Sequence, residues 1–184
     1  MTKVIPTQFE SERLILRRTE SGDGPALNEA LLESYENLNQ WMAWADHAPN
    51  VAESEEKAIA SHERFNKGHE YQFLLIDKST GLVAGSCGLH YWNEQYKTFE
   101  IGYWIRTRFL KQGLAKEAAS AVANFAFKHN LTNQLEIHVA SDNLVSQKVA
   151  LSIGFEYERK IIASMRSLPD GPIVDELVFV KRKG

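Results

Sequence analysis

The order of hydrophobic and polar positions along the chain separates short strands from helices. Runs that alternate, or stay apolar between polar turns, are typical of strands, whereas apolar residues three or four apart indicate helices. The pattern predicts seven strands, at residues 11–19, 71–76, 82–91, 98–105, 135–140, 155–163 and 173–180. It predicts helices at residues 26–32, 53–67, 114–129 and 144–152. Strands and helices mixed in this way favour an α+β fold around one mixed sheet.

Residues that begin or end elements support these assignments. Asp23-Gly24-Pro25 is a signal for the start of a helix, and Gly154 ends the last predicted helix. The polar segment 77–81 ends in Gly81 and is typical of a turn that joins two strands into a hairpin. The chain contains no internal repeat and no linker rich in proline or serine, so we expect a single domain over residues 1–184.

Composition narrows the classes of protein. The chain has 184 residues, of which 43% are hydrophobic and 24% charged, as in one ordinary globular domain. The formal charge of −3 gives no general attraction for nucleic acid or anionic lipid, so neither is an expected partner. The sequence shows neither an export signal nor a long apolar run, and its one cysteine, Cys87, cannot form an internal disulfide. A cytoplasmic location is therefore expected.

The segment from Glu100 to Lys116 carries the first chemical signal, because it leads from a strand through a compact loop into the strongest predicted helix. Free backbone N–H groups and the positive end of the helix dipole favour an anion at such a position. Lys111 and Lys116 add positive charge, and Gly113 lets a ligand approach the backbone. The loop is suited to a pyrophosphate, although an ordinary strand-to-helix connection is the alternative. The glycine patterns of nucleotide hydrolases and dinucleotide-binding proteins are both missing.

A second segment, residues 143–155, joins a helix with polar residues near its start to a Gly154-Phe155 exit. With this segment the chain resembles the GNAT superfamily of acetyltransferases, and within it the RimJ/RimL-type enzymes that acetylate the N-termini of ribosomal proteins. The resemblance covers nearly the whole chain: it begins at residues 12–17, continues through residues 84–89 and 100–104, and ends at residues 175–179. It implies a single GNAT-type domain with a mixed, mostly antiparallel central sheet of about seven strands flanked by helices.

The resemblance also implies acetyl-coenzyme A as the cosubstrate. Gly113 and Ala115 match the family's cofactor signature, whereas Leu110 and Lys111 depart from it. The residues implied to hold the pyrophosphate are Lys111, Gln112, Gly113, Leu114, Ala115 and Lys116. Trp104 and Ile105 would meet the pantetheine arm through their backbones, and Asn143 and Ser146 would lie near the thioester. Trp104 in the core and Asn143 as a helix N-cap are the structural alternatives.

Acetyl transfer to an amine needs a base and a proton donor, since an ammonium ion is not a nucleophile and the departing thiolate gains from a proton. Glu100 is the candidate base, acting through water, and Ser146 the candidate donor; a surface carboxylate is the alternative for Glu100. The surroundings of Cys87 contain no evident base, which favours direct transfer without an acyl-enzyme. The six histidines form no close ligand pair, so no metal is expected.

A third segment is implied to form the acceptor side of the site. Residues 39–46 resemble the acceptor-side helices of ribosomal-protein acetyltransferases, where Trp41 and Trp44 would form aromatic walls and Asp46 would meet a positive charge. His90 is expected on a strand near this cleft, and plain packing is the alternative for both tryptophans. The N-terminal amine of a ribosomal protein is the implied acceptor. A small amine, such as a polyamine, an amino sugar or an amino acid, is the alternative acceptor. A non-catalytic acyl-coenzyme A sensor is the alternative function. Whether the protein forms a homodimer stays open.

Overall fold

Eight strands form one sheet in the computed structural model, which describes residues 4–93, 98–166 and 171–184. The strands are β1 (Gln8–Glu10), β2 (Leu14–Arg18), β3 (Tyr71–Asp77), β4 (Val83–Asn93), β5 (Thr98–Ile105), β6 (Gln134–Ala140), β7 (Glu156–Arg166) and β8 (Ile173–Arg182). The helices are α1 (Gly24–Asn39), α2 (Val51–Asn66), α3 (Leu114–Lys128) and α4 (Leu144–Ser152). A short 3-10 helix, Thr107–Phe109, follows β5.

The strands lie in the order β1-β2-β3-β4-β5-β6-β8-β7, and every neighbouring pair is antiparallel except β5 and β6. The predicted mixed, mostly antiparallel sheet flanked by helices is therefore confirmed. The strand that the sequence did not predict is β1, whose three residues pair with Ile15 to Arg17 of β2. Three residues are too few to show a periodic pattern.

The helices cover the sheet unequally. The larger core includes Ala118 and Val122 of α3 and Ala150 of α4, packed on the face that carries Phe73 and Ile101. A smaller cluster on the opposite face contains Leu27, Leu31 and Leu38 of α1 together with Leu74 and Trp104. Because Leu38 is buried in this cluster, α1 continues past residue 32, where the sequence pattern ended it, and reaches Asn39. The two faces of β5 thus meet different helices.

A buried arginine fastens α1 to the end of β5. The guanidinium of Arg106 is 1% exposed and donates to Glu33 at 2.8 Å and to Glu29 at 2.5 Å, both on α1. The Arg106 backbone N–H donates to the Ala84 carbonyl, beside Gly85, whose φ of 147° places it where few side chains are tolerated. These contacts of Arg106 hold the start of the loop before α3 against α1.

Candidate functional site

The candidate site lies where β5 and β6 separate. The two strands pair in parallel only at Thr98 with Gln134, Phe99 with Leu135 and Glu100 with Glu136. Beyond that point residues 101–105 of β5 and 137–140 of β6 share no backbone pairing. Each stretch pairs with its other neighbour, β4 or β8. The opening therefore has two strand edges whose backbone groups are available to a ligand with peptide-like groups.

The start of α3 supplies unpartnered amides close to this opening. Gly113 is the N-cap in the left-handed conformation, with φ of 79°, and no side chain caps the helix. In the part of the chain that the structure describes, no acceptor is found for the backbone N–H groups of Gly113, Leu114, Ala115 and Lys116. Four free donors at the positive end of a helix dipole form a site for an anion.

The side chains of this loop divide into anchors and exposed charges. Leu114 is buried and Ala115 partly buried, so their side chains fix the helix while their amides stay at the surface. Lys111 and Lys116 are exposed and have room to meet a phosphate. Gln112 is also exposed, and its amide donates to the Arg108 carbonyl at 3.1 Å, which shapes the loop.

Arg13 was not among the predicted site residues, yet it holds the loop in place. Its guanidinium donates to the Gln112 carbonyl at 2.8 Å and to Glu117 in the first turn of α3 at 2.7 Å. A side chain on Gly113 would lie 3.7 Å from the same guanidinium. No local pattern reveals this role, because Arg13 and Gln112 are 99 positions apart.

A hydrogen bond between two hydroxyl groups crosses the opening. The phenol oxygen of Tyr103, on β5, lies 2.8 Å from the hydroxyl oxygen of Ser146, on α4. Asn143 is the N-cap of α4, and its side-chain oxygen accepts the Ser146 backbone N–H at 3.0 Å. Burial raises the pKa of Tyr103 to about 12, against an opposing effect of the bond to Ser146, so the phenol keeps its proton at neutral pH. Tyr103 was another residue that the sequence did not single out.

Glu100 faces the opposite side of β5 from Tyr103. Its cross-strand partner on β4 is His90, whose ring also lies near Gly102. Burial raises the pKa of Glu100, while the nearby His138 lowers it and Glu176 and Glu136 raise it further. Burial likewise lowers the pKa of His90, against the effect of Glu70. The structure therefore places Glu100 and His90 opposite each other on neighbouring strands, with acidic residues around Glu100.

Trp104 and Ile105 lie along the open edge of β5, but their side chains are in the core. Trp104 is buried in the α1 cluster, and Ile105 belongs to the main core. Cys87 is fully buried, and burial raises the pKa of its thiol far above the usual range. On the β5 side of the opening, Trp104 and Ile105 therefore offer a ligand their backbone groups, and Cys87 offers no thiolate.

Three of the predicted acceptor residues, Trp41, Trp44 and Asp46, lie beyond α1 and are exposed. Trp41 and Trp44 are 38% and 45% exposed, whereas Ala45 between Trp44 and Asp46 packs into the cluster with Trp104. The ammonium of Lys57 lies 5.7 Å from the centre of the Trp44 ring. The carboxylate of Asp46 is 2.8 Å from His47 Nδ1. Trp41 and Trp44 are therefore surface residues, and their contacts do not connect them to Glu100.

Two features that other functions would need are missing from the described residues. No group of three or more histidine, cysteine, aspartate or glutamate side chains in residues 4–93, 98–166 and 171–184 is arranged to hold a metal ion. Within the same ranges, none of the helices has both the length and the apolar character that a bilayer span requires.

Comparison with known proteins gives one family. A family model described as an acetyltransferase (GNAT) domain matches residues 13–156. YdaF of Bacillus subtilis (strain 168), named as a candidate ribosomal N-acetyltransferase, is 29% identical over 154 residues, which are 82% of this chain and 81% of YdaF. The p20 protein of Bacillus licheniformis, an uncharacterized N-acetyltransferase, is 25% identical over 80% of this chain and 82% of its own.

Solved structures show the same fold at lower identity. RimL, the ribosomal L7/L12 alpha-N-protein acetyltransferase in complex with coenzyme A, superposes with a TM-score of 0.86 at 21% identity, covering 97% of each chain. MccE, a microcin C7 self-immunity acetyltransferase in complex with acetyl-CoA and AMP, gives 0.88 at 18% identity, covering 100% of each. At these identities the likeness establishes the fold and leaves the acceptor undetermined.

Proposed function

Because the chain belongs to the GNAT acetyltransferase family, we propose that it transfers the acetyl group of acetyl-coenzyme A directly to a primary amine, the N-terminal amine of a ribosomal protein. The observation that carries this proposal is the opening between β5 and β6, with free amides of α3 near one end and two linked hydroxyls across it. The cytoplasm is its proposed location, and the whole chain, residues 1–184, its proposed domain.

The residues at the start of α3 fit the diphosphate of acetyl-coenzyme A. The amides of residues 113–116 lack partners, and Lys111 and Lys116 add charge without being buried. The backbone edge of β5 at Trp104 and Ile105 suits the amides of the pantetheine arm. Across the opening, Asn143 fixes the backbone of Ser146, and both are proposed to lie near the thioester. Acetyl-coenzyme A supplies an activated thioester, and the protein's part is to orient it and to move protons.

Glu100 is the proposed base. It is partly exposed on the face of β5 opposite Tyr103, so a water can connect it to an acceptor amine. A carboxylate whose pKa is raised by burial holds a proton better than an ordinary surface glutamate, which suits a base that works near neutral pH. His90, its cross-strand neighbour, lines the same face and is a proposed acceptor contact.

Ser146 and Tyr103 are the proposed acid. The Ser146 hydroxyl donates a proton to the departing sulfur and recovers one from the Tyr103 phenol, 2.8 Å away. The proton that Glu100 took from the amine leaves to solvent, and solvent returns one to Tyr103, so the step balances. Backbone N–H groups of the open strand edge are the proposed donors to the acetyl oxygen. Cys87 is unsuited to carry the acetyl group, since its thiol is buried and hard to ionise. Direct transfer is therefore the proposed route.

An acceptor screen tests the proposal. Peptides that begin with serine or alanine are expected to release free thiol from acetyl-coenzyme A, and mass spectrometry is expected to locate the acetyl group on the α-amine. The matched control is the same peptide with its N-terminus already blocked. Faster turnover of a polyamine, amino sugar or amino acid would replace the protein acceptor with a small one. Absence of thiol release with every amine, and of heat on titration with acetyl-coenzyme A, would overturn the enzyme assignment.

A further inference from the structure

His138 of β6 lies between two carboxylates. Its Nδ1 contacts Glu176 of β8, and its Nε2 is 2.9 Å from a carboxylate oxygen of Glu136. An ionised carboxylate only accepts hydrogen bonds, so both ring nitrogens must donate, and a ring that donates from both nitrogens is an imidazolium. Burial works against this charge, but Glu100, Glu136 and Glu176 outweigh it and raise the pKa of His138.

Glu100 stands at the edge of this cluster. It is the cross-strand partner of Glu136 in the last pair before β5 and β6 separate. Like charges this close disfavour ionisation of any one carboxylate, and an adjacent cation restores it. Glu136 has a second cation, since Arg159 of β7 donates to it at 2.9 Å. Among the described residues no hydrogen bond or ion pair to the Glu100 carboxylate is found. The neighbouring His138 is the cation that lowers the pKa of Glu100, against burial, Glu176 and Glu136.

The remaining titratable groups near Glu100 lie on its β4 side. His90 is directly opposite Glu100, and Glu70 lies 3.9 Å from the His90 ring. Glu70 is in turn held by Arg64 of α2 at 2.7 Å. Burial lowers the pKa of His90, which favours its neutral form, so the β4 side offers Glu100 no strong cation. The principal positive charge that acts on Glu100 is therefore the one on β6.

We propose that His138 is a positioning residue whose imidazolium, fixed between Glu136 and Glu176, keeps Glu100 ionised and able to take a proton from the acceptor amine. This inference rests on the proposed function, in which Glu100 is the base. In this proposal, the cluster of Glu136, His138 and Glu176 allows Glu100 to be partly buried and still carry a negative charge. His138 itself takes no proton from the substrate, because both of its nitrogens are already protonated.

Two substitutions separate charge from shape. His138→Gln keeps a hydrogen-bonding side chain without the charge, and His138→Lys restores a positive charge without the ring. Carbon-13 NMR of the glutamate carboxyl groups, assigned with Glu100→Gln, follows the titration of Glu100 directly. We expect Glu100 to take up its proton at higher pH in His138→Gln than in the wild type, and His138→Lys to reverse that change. Unchanged titration of Glu100 in a folded His138→Gln protein would overturn the proposal.

Kinetics supply a second readout. For His138→Gln we expect kcat to fall about ten-fold more at about pH 6 than at about pH 8.5, because only the acidic side depends on the charge of Glu100. A purely structural role would lower kcat equally at both pH values. The matched control is His62→Gln, since the His62 ring contacts the Thr19 carbonyl and no member of the cluster. This control is expected to keep the pH profile of the wild type.

The NMR titration needs neither acetyl-coenzyme A nor an acceptor. A protein that acetylates no amine would refute the proposed function, and the titration of Glu100 would still decide the charge relationship. If His138→Gln does not fold, nitrogen-15 NMR of the wild-type His138 ring decides instead. Protonation of both ring nitrogens above about pH 7 supports the proposal, whereas a neutral tautomer there overturns it.

Discussion

Tyr103 and Ser146 belong to elements on opposite sides of the opening between β5 and β6, and their hydroxyl oxygens lie 2.8 Å apart. They are 43 positions apart in the sequence, and Tyr103 projects from the same face of β5 as the core residues packed on α3. The pair therefore connects a partly buried phenol that keeps its proton to a hydroxyl at the first turn of α4.

Tyr103→Phe is expected to lower kcat by about ten-fold or more while leaving the affinity for coenzyme A within about two-fold, because the phenol acts on the leaving group. Steady-state kinetics and calorimetry measure the two quantities. Tyr157→Phe is the matched control, since that ring is 55% exposed and packs on Phe179. Equal kcat for wild type and Tyr103→Phe would remove Tyr103 from the mechanism.

Ser146→Ala and Asn143→Ala are both expected to reduce turnover more than cofactor affinity, but they differ in stability. Asn143→Ala removes the N-cap of α4 and should cost about 1 kcal/mol of unfolding free energy, whereas Asn143→Ser should recover most of it. Urea denaturation measures this difference. Full activity in Ser146→Ala would exclude its hydroxyl as the proton donor.

Arg13→Met is expected to raise the KM for acetyl-coenzyme A about five-fold with little change in kcat, because it releases the loop that carries the α3 amides. Arg182→Met is the control, since Arg182 also pairs with a glutamate, Glu158, but on β7. A double-mutant cycle with Glu117→Gln should show that the two effects are not additive. Independent effects would mean that Arg13 does not act through this contact.

Glu33→Gln is expected to destabilise the fold by about 2 kcal/mol at neutral pH, since it leaves the buried Arg106 with Glu29 alone. The hydrogen bond from Arg108, against opposing burial, and that from Arg106 lower the pKa of Glu33 from 4.5 to about 2. A lowered pKa stabilises the fold fully above pH 4.5, and this stabilisation is lost as the pH falls towards 2. Urea titrations across this range should show the loss in the wild type and in Glu36→Gln, an exposed control on α1, but not in Glu33→Gln.

Cys87→Ala is expected to retain acetyl transfer, because the thiol is fully buried and its pKa is raised by that burial. The substitution should lower the free energy of unfolding by about 1 kcal/mol, because packing in the core is lost. Pre-steady-state mixing of enzyme with acetyl-coenzyme A should give no burst of free thiol without an acceptor. Such a burst, or inactivity of a folded Cys87→Ala protein, would point to an acyl-enzyme.

The sequence predicted those parts of the molecule that local patterns determine. Strand β5, the following loop and α3 were predicted within a residue or two, and so was the hairpin of β3 and β4. The N-cap position of Asn143 was the structural alternative to its role at the cofactor. Those elements carry strong periodicity or turn residues. The strand β1 and the continuation of α1 to Asn39 were not predicted, since they depend on pairing with β2 and on burial of Leu38.

Contacts between distant segments escaped the sequence entirely. Arg13 with Gln112 and Tyr103 with Ser146 are separated by 99 and 43 positions, and no spacing rule connects them. The cluster around His138 brings β5, β6 and β8 together, which only the strand order reveals. The exposure of Trp41 and Trp44 could not be predicted either, because the sequence of an aromatic segment is the same whether its side chains are buried or exposed.

The short pairing of β5 with β6 divides the sheet into two leaves. Strands β1 to β5 form one and β6 to β8 the other, and three residue pairs join them. A substrate whose amides bridge the free edges would take the place of the hydrogen bonds that the chain itself omits.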